Sequence, residues 1–396
     1  MIPYGKQIIT EDDIAAVVQC LRSDWLTQGP KVQEFEQAFA RFVGAKHAVA
    51  VNNATAALHL AMLVGGIGPG DWVVTSPITF LASANCAAFV GAVPDFSDVD
   101  PVSLNLCSDA LERNWKPGTK AVVAVDYAGQ PADMPAIAKI ARDRGALVIE
   151  DACHGVGGGF EHQGQIWKLG GHPWADITTF SFHPVKTMTT GEGGMLVTDN
   201  DQFATKARLL RSHGVERSEF LGLGSDGEAF SERGPWYYEM QALGFNYRLT
   251  DIQSALGLSQ LKRLPEMIVR RREVVARYNS SFVELDWLSV PKVLYPRNKE
   301  LISWHLYTVE IDFQKIGKTR SQVITELRDK GIGAQVLYIP VHLQPWYREQ
   351  FGYGLGKCPN AEKAYSSILS LPLFSKISDK EVDVVIDSVK SLAKPA

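Results

Sequence analysis

The chain has 396 residues, of which 45% are hydrophobic and 21% charged, the balance of an ordinary globular protein and far from that of a disordered one. Its 40 basic and 44 acidic residues leave a formal charge of -4, and no run of lysine or arginine could follow a phosphate backbone, so nucleic acid is not an expected partner. Five scattered cysteines without CxxC spacing, no signal-peptide pattern and no apolar stretch of about 18 residues argue against a disulfide framework, a zinc site, export and a membrane span, leaving the cytoplasm as the expected setting.

From about Ala45 to Asn200 short apolar runs alternate with helical spacing. Strands are expected at His47–Val51, Trp72–Thr75, Val93–Phe96, Ala121–Asp126, Ala146–Glu150, Ile177–Phe180 and Met195–Thr198, with helices at Ala54–Leu63, Leu81–Val90, Met134–Arg144 and Asp201–Ser212. The alternation predicts βαβ units and a mainly parallel α/β sheet, which binds ligands at the carboxyl ends of its strands. Gly214–Gly244, rich in Gly, Ser and aromatics, reads as a long functional loop. Thr250 can cap a helix, with Pro265 expected to break or kink it before Met267–Phe282. The domain boundary is therefore placed near Pro265, dividing a large α/β domain (1–265) from a smaller α+β domain (266–396). The first residues are expected to pack on the smaller domain. That domain is read as strands at His305–Ile311 and Ala334–Tyr338 and helices at Arg320–Lys330, Ala361–Ile368 and Asp379–Leu392.

Four segments follow four separate strands, and each meets a different need of one cofactor, pyridoxal 5'-phosphate. Asn52-Asn53-Ala54-Thr55-Ala56-Ala57 opens a helix after a strand, where free N–H groups, the helix dipole and the Thr55 hydroxyl favour a phosphate; alone it reads equally as a polar helix cap. Ile149-Glu150-Asp151-Ala152-Cys153-His154 ends a buried strand on an acid. A protonated pyridine nitrogen would partner Asp151 and stay an electron sink, while Glu150 should face away; a structural acid that caps a turn or meets an arginine is the plain alternative.

The strongest segment is Asp176–Lys186 followed by Thr189-Thr190-Gly191-Glu192-Gly193-Gly194. Lys186, leaving a strand end, would hold the cofactor as a Schiff base and then move the proton of transamination. Ser181 can donate to the same phosphate as Thr55, and the alternative is an ordinary surface lysine. Finally, Ser76-Pro77-Ile78-Thr79-Phe80 offers Phe80 for one face of the ring, with His154 on the other, although either could be core filler. Gly155-Val-Gly157-Gly-Gly159 imitates a dinucleotide fingerprint, but Phe160 and Glu-His-Gln-Gly follow where an apolar helix should. The histidines show no paired-ligand spacing for a metal.

Together Ala54-Thr55-Ala56, Glu150–His154, Ser181–Lys186, the Glu192-Gly-Gly turn and Gly244–Asp251 resemble the fold-type-I aminotransferases of nucleotide sugars, the DegT family, over essentially the whole chain. The resemblance implies phosphate contacts from Thr55, Ala56 and Ser181, a pyridine contact from Asp151, a ring-face contact from His154, and Asn246 reaching in from the second subunit of a homodimer, with Arg248 a further crossing candidate. Tyr4, Thr27, His183, His213 and Tyr338 match positions that line the sugar and nucleotide pocket.

Ser23–Pro30, Val125–Gln130, Arg211–Gly214 and Gln253–Gln260 look most like the pseudaminic acid branch of that family. This implies a UDP-linked 4-keto-6-deoxy sugar as substrate and L-glutamate as amino donor. Gly191 departs from the small residue such as alanine expected there. Other readings are a different 4-keto or 3-keto nucleotide-sugar aminotransferase, such as one making an amino-arabinose or bacillosamine-type precursor, or a dehydratase or regulatory binder on the same fold. Such binders tend to lose the lysine that this chain keeps.

Overall fold

The computed structural model describes residues 1–222 and 234–393. Two helices, α1 (Glu11–Leu21) and α2 (Pro30–Val43), lead into the sheet region. There β1 (His47–Val51), α3 (Ala54–Val64), β2 (Trp72–Thr75), α4 (Ala82–Phe89), β3 (Val93–Phe96), α5 (Ser108–Arg113), β4 (Thr119–Val125), α6 (Met134–Arg142) and β5 (Leu147–Asp151) follow in turn. A hairpin of β6 (Gly159–His162) and β7 (Gln165–Lys168) precedes β8 (Ile177–Ser181), β9 (Gly194–Thr198) and α7 (Asp201–Arg211). Each of the seven strands expected between His47 and Thr198 is present to within two residues.

Seven of these strands form one sheet in the order β1-β9-β8-β5-β4-β2-β3, with only β9 running against the others. The runs are apolar on both faces because both faces are covered. Val122 and Val148 point to a core shared with Phe35, Phe39 and Leu264, while their neighbours Val123 and Ile149 point to the opposite core with Leu58, Leu60 and Ala87.

Register sets the position of the site. Asp151 pairs with Thr179, Ser181 two residues on pairs with Gly194, and Gly194 pairs with Val51, the last residue before the turn into α3. The ends of β5, β8 and β1 therefore lie at one edge of the sheet, with β9 starting between them. Gly194 is where that edge is tightest: a Cβ there would stand 2.6 Å from Asn53 C and 2.7 Å from Ala54 N.

Past the sheet, β10 (Val215–Glu216) pairs with β11 (Glu239–Met240), so the described part of the expected loop Gly214–Gly244 carries a short ribbon; residues 223–233 lie outside the described residues. The helix α8 (Asp251–Phe282) then runs 32 residues straight through Pro265. The break expected there is absent. Proline removes one hydrogen bond and crowds the preceding turn, a cost of about 3 kcal/mol, and packing on both sides of it offsets that. Leu261, Leu264 and Ile268 belong to the core under the sheet, and Val274, Val275, Tyr278 and Phe282 to a second core.

That second core lies under a three-stranded antiparallel sheet of β12 (Leu288–Ser289), β13 (Tyr307–Ile311) and β14 (Ile368–Leu371). Helices α9 (Arg320–Asp329), α10 (Pro345–Phe351), α11 (Pro359–Ser367) and α12 (Asp379–Lys390) complete the chain. Ile368 opens a strand instead of ending a helix. Ala334–Tyr338 is not a strand: only Gln335 bridges, to Ser370, and Leu337 gives its carbonyl to the Tyr127 hydroxyl at 2.5 Å. Tyr338 turns inward to His154, so the ladder cannot continue. At the N-terminus Ile2 bridges Ile332 and joins the second core.

Gly194→Ala should cost about 1–3 kcal/mol in urea unfolding, the range of a side chain forced into filled space, and should weaken cofactor binding in the same protein. An alanine variant with wild-type stability and affinity would show that the edge can yield.

Candidate active site

Lys186 follows the end of β8 after a turn in which its N–H donates to the His183 carbonyl at 2.9 Å. Its ammonium makes no ion pair among the described residues. Burial holds its pKa below the usual lysine range against the pull of Cys153 and Asp151, and the Arg271 guanidinium adds a smaller push in the same direction as burial. A lysine biased toward the neutral amine is a nucleophile. Arg271 is itself fully buried, donates to the carbonyls of Trp304, His305 and Leu373, and has its pKa lowered to about 10 by burial.

Asp151, the last residue of β5, is 5% exposed. Its Oδ2 accepts from Ser83 Oγ at 2.6 Å and its Oδ1 from Cys153 N at 3.2 Å, with no basic side chain in hydrogen-bond contact. Ser83 in turn meets Thr79 Oγ1 at 2.7 Å. Glu150 faces the other side of the sheet, as strand alternation requires, bonded to His172 Nε2 at 2.7 Å and to Thr178 Oγ1 at 2.9 Å.

His154 lies buried beside this carboxylate. Its Nδ1 accepts from Ala128 N at 3.2 Å, which leaves Nε2 as the protonated nitrogen, 3.1 Å from the Tyr338 hydroxyl. Burial and the Lys186 charge hold its pKa well below the usual histidine range, so the ring is neutral. His305 sits 4.4 Å away, ring centre to ring centre, also neutral by burial, with a buried Nδ1 that has no partner. Phe80 is 57% exposed and 6.3 Å from the Tyr338 ring. It is therefore not core filler.

At the phosphate end Asn53 caps α3, its side chain accepting from Ala56 N at 2.8 Å. The Ala56 N–H, expected at the phosphate, is thus engaged, and the N–H groups left open in the first turn are those of Ala54 and Thr55. Ser181 lies across Gly194 from them. Gly191, at φ +83°, adopts a left-handed conformation that an alanine would resist.

The structure brings Lys186, Asp151, His154 and Tyr338 together, with Tyr4 near enough to influence the Tyr338 hydroxyl. His183 is exposed, 4.0 Å from Glu192. Other expected residues stand apart. Thr27 and Arg248 line a cavity of about 570 Å³ with Glu36, Arg208 and Arg211, to which neither Lys186 nor Asp151 contributes. Asn246 is exposed, its carbonyl 3.4 Å from Asn52 Nδ2, and His213 is exposed at φ +62°. Sequence reasoning missed Ser83, Thr79, His305 and Arg271. The pair Thr79 and Ser83, four residues apart at a helix start after a strand end, was the one readable signal; His305 and Arg271 are placed by the fold alone.

This donor set fits pyridoxal phosphate: a half-buried lysine and a buried carboxylate with no ion pair among the described residues, a neutral flat imidazole near the lysine, and open N–H groups at a helix start. Comparison with known proteins agrees. Residues 7–390 match the DegT/DnrJ/EryC1/StrS aminotransferase family. The spore coat polysaccharide biosynthesis protein SpsC of Bacillus subtilis is 45% identical over all of this chain and 98% of its own. Helicobacter pylori PseC, an aminotransferase involved in the biosynthesis of pseudoaminic acid, superimposes with a TM-score of 0.87 at 31% identity, over 99% of this chain and 98% of its own. The putative sugar aminotransferase Spr1654 of Streptococcus pneumoniae, in its PLP form, does so at 0.86 with 29% identity, over 99% and 98%. The chain is a member of the DegT/DnrJ/EryC1/StrS family and a pyridoxal-phosphate-dependent sugar aminotransferase.

Proposed function

We propose that this aminotransferase acts in the cytoplasm on a UDP-linked 4-keto-6-deoxy sugar, UDP-2-acetamido-2,6-dideoxy-β-L-arabino-hex-4-ulose, with L-glutamate as amino donor. The product would be UDP-4-amino-4,6-dideoxy-N-acetyl-β-L-altrosamine for pseudaminic acid. The observation that carries this reading is the full-length match to PseC. The higher identity to SpsC favours a second reading, in which another nucleotide-linked keto sugar is aminated for a surface polysaccharide. A panel of UDP- and dTDP-linked 4-keto and 3-keto sugars, incubated with glutamate and resolved by NMR of the amino product, separates the two. Turnover of the L-arabino-hexulose ahead of all others is the expected result, and preference for a different ketosugar supports the second reading.

Pyridoxal phosphate supplies an electron sink that makes the proton on the amine-bearing carbon labile. Lys186 would hold the cofactor and, when freed, its amine would carry that proton. Asp151 would partner the ring nitrogen, the neutral His154 ring would lie against the cofactor ring, and Thr55 and Ser181 would take the phosphate. Lys186→Ala should keep its fold by circular dichroism yet, after incubation with cofactor and borohydride, yield no modified peptide. A modified peptide at another lysine would move the attachment point.

Asn246 meets Asn52 and Ser212 through its backbone, its side chain makes no hydrogen bond among the described residues, and Leu221, Trp236, Met240 and Leu243 are exposed in the segment leading to it. Apolar surface of this kind calls for a partner. In the proposed homodimer each site uses Lys186 of one chain and Asn246 of the other, so two inactive parents can complement. Mixing Lys186→Ala with Asn246→Ala chains under full subunit exchange makes about half the dimers hybrids with one intact site each, a ceiling of roughly a quarter of wild-type activity. Activity that stays at the parental level after exchange, followed by mass spectrometry of tagged chains, would leave Asn246 within its own subunit.

A further inference from the structure

Asp151 is held by a chain of two buried hydroxyls that the transamination reading does not use. Ser83 is 1% exposed and Thr79 3%. Ser83 Oγ has one proton and two close neighbours, Asp151 Oδ2 at 2.6 Å and Thr79 Oγ1 at 2.7 Å. An ionised carboxylate can only accept, so Ser83 must donate to Asp151, and Thr79 must then donate to Ser83. The backbone fixes Ser83 in place, its N–H donating to the Phe80 carbonyl at 3.3 Å and its own carbonyl accepting from Cys86 Sγ at 3.3 Å. A proton on Oδ2 would have to reverse both hydrogen bonds, and a proton on Oδ1 would leave them in place while replacing the charged acceptor of Ser83 with a neutral one.

We propose that Ser83, oriented by Thr79, is a positioning residue that holds Asp151 in its ionised form, so that the proton shared with the cofactor ring stays on the ring nitrogen. The inference rests on the reading of Asp151 as the partner of that nitrogen. Two acids close together and a proton between them present a choice: pyridinium with carboxylate, or neutral pyridine with carboxylic acid. Only the first keeps the ring an effective electron sink. In a buried site the neutral pair is favoured by desolvation, and a charge-assisted donor on the carboxylate opposes that preference.

The other groups around Asp151 do not do this work. Asp126, at the end of β4, is driven toward the neutral acid by burial and by the Glu150 charge. The thiols of Cys86 on α4 and Cys153 are held neutral by burial, and so is the Tyr338 hydroxyl. Lys186 is the cation facing Asp151, and it is consumed when it binds the cofactor. Apart from the hydroxyl pair, the donors to Asp151 among the described residues are the Cys153 N–H at 3.2 Å and, more weakly, the neutral Cys153 thiol.

The experiment reconstitutes full-length protein with pyridoxal phosphate labelled with nitrogen-15 in the ring and reads the ring-nitrogen chemical shift, which separates pyridinium from pyridine, together with the cofactor dissociation constant. Wild type should give a pyridinium signal. Ser83→Ala should move it toward neutral pyridine and weaken cofactor binding about tenfold, the low end for losing one charge-assisted hydrogen bond. Ser83→Thr should restore both, and Thr79→Val should change both in the same direction by less. A pyridinium signal and wild-type affinity in Ser83→Ala overturn the proposal, and so does failure of threonine to rescue, which would assign the effect to packing. If Ser83→Ala does not fold, Thr79→Val decides, and wild-type values there overturn it. Asp151→Asn runs in parallel: an unchanged signal in that variant defeats the reading of Asp151 itself, whereas a changed signal there with an unchanged one in Ser83→Ala defeats only the role of Ser83.

Discussion

A half-buried lysine and a buried carboxylate lie past and at the ends of neighbouring strands without forming an ion pair with each other or with any other side chain described. Charges in that position are expensive unless something compensates them. Arg271 sharpens the imbalance, since it brings a third buried charge whose partners are backbone carbonyls. In the proposed function a ligand completes these electrostatics: an aldehyde for the amine, a protonated ring for the carboxylate, and a phosphate for the open N–H groups at the start of α3.

The surroundings of those charges are kept neutral. His154 and His305 stand 4.4 Å apart with their rings tilted by 53°, both pushed below the usual histidine range by burial and by Lys186. Neutral rings offer a flat surface to an aromatic cofactor without adding a cation beside a protonated pyridine. The Ala128 N–H settles which nitrogen of His154 carries the proton, and Tyr338 receives it. Ala128 itself has a positive φ, just before Gly129, where a Cβ would collide with the Ser303 carbonyl. The tautomer of His154 thus depends on a close backbone contact on the far side of the turn.

One chain leaves part of the expected machinery away from Lys186. Thr27 and Arg248 border a separate cavity with Arg208, Arg211 and Glu36, and Asn246 lies on an exposed surface beside apolar side chains. Arg211 is pinned there by Glu36 and the Ala50 carbonyl, yet its Nε is buried without a partner. A second copy covering this face would give these groups a use, which is why assembly and catalysis are linked in the proposed function.

The sheet and the placement of Lys186 just past a strand end were legible in the sequence because both are local. Period-two and period-3.6 patterning located the strands His47–Val51, Trp72–Thr75 and Val93–Phe96 to the residue, and the motifs around Asp151 and Lys186 are contiguous. What the sequence could not decide was anything set by partners far along the chain. Pro265 does not end its helix, because two cores hold it on either side. Ala334–Tyr338 does not extend, because Tyr127 and His154 claim its polar groups. His305 and Arg271 enter the site from segments with no motif of their own. Whether a polar group is free or engaged depends on contacts between residues hundreds of positions apart, and local periodicity carries no record of them.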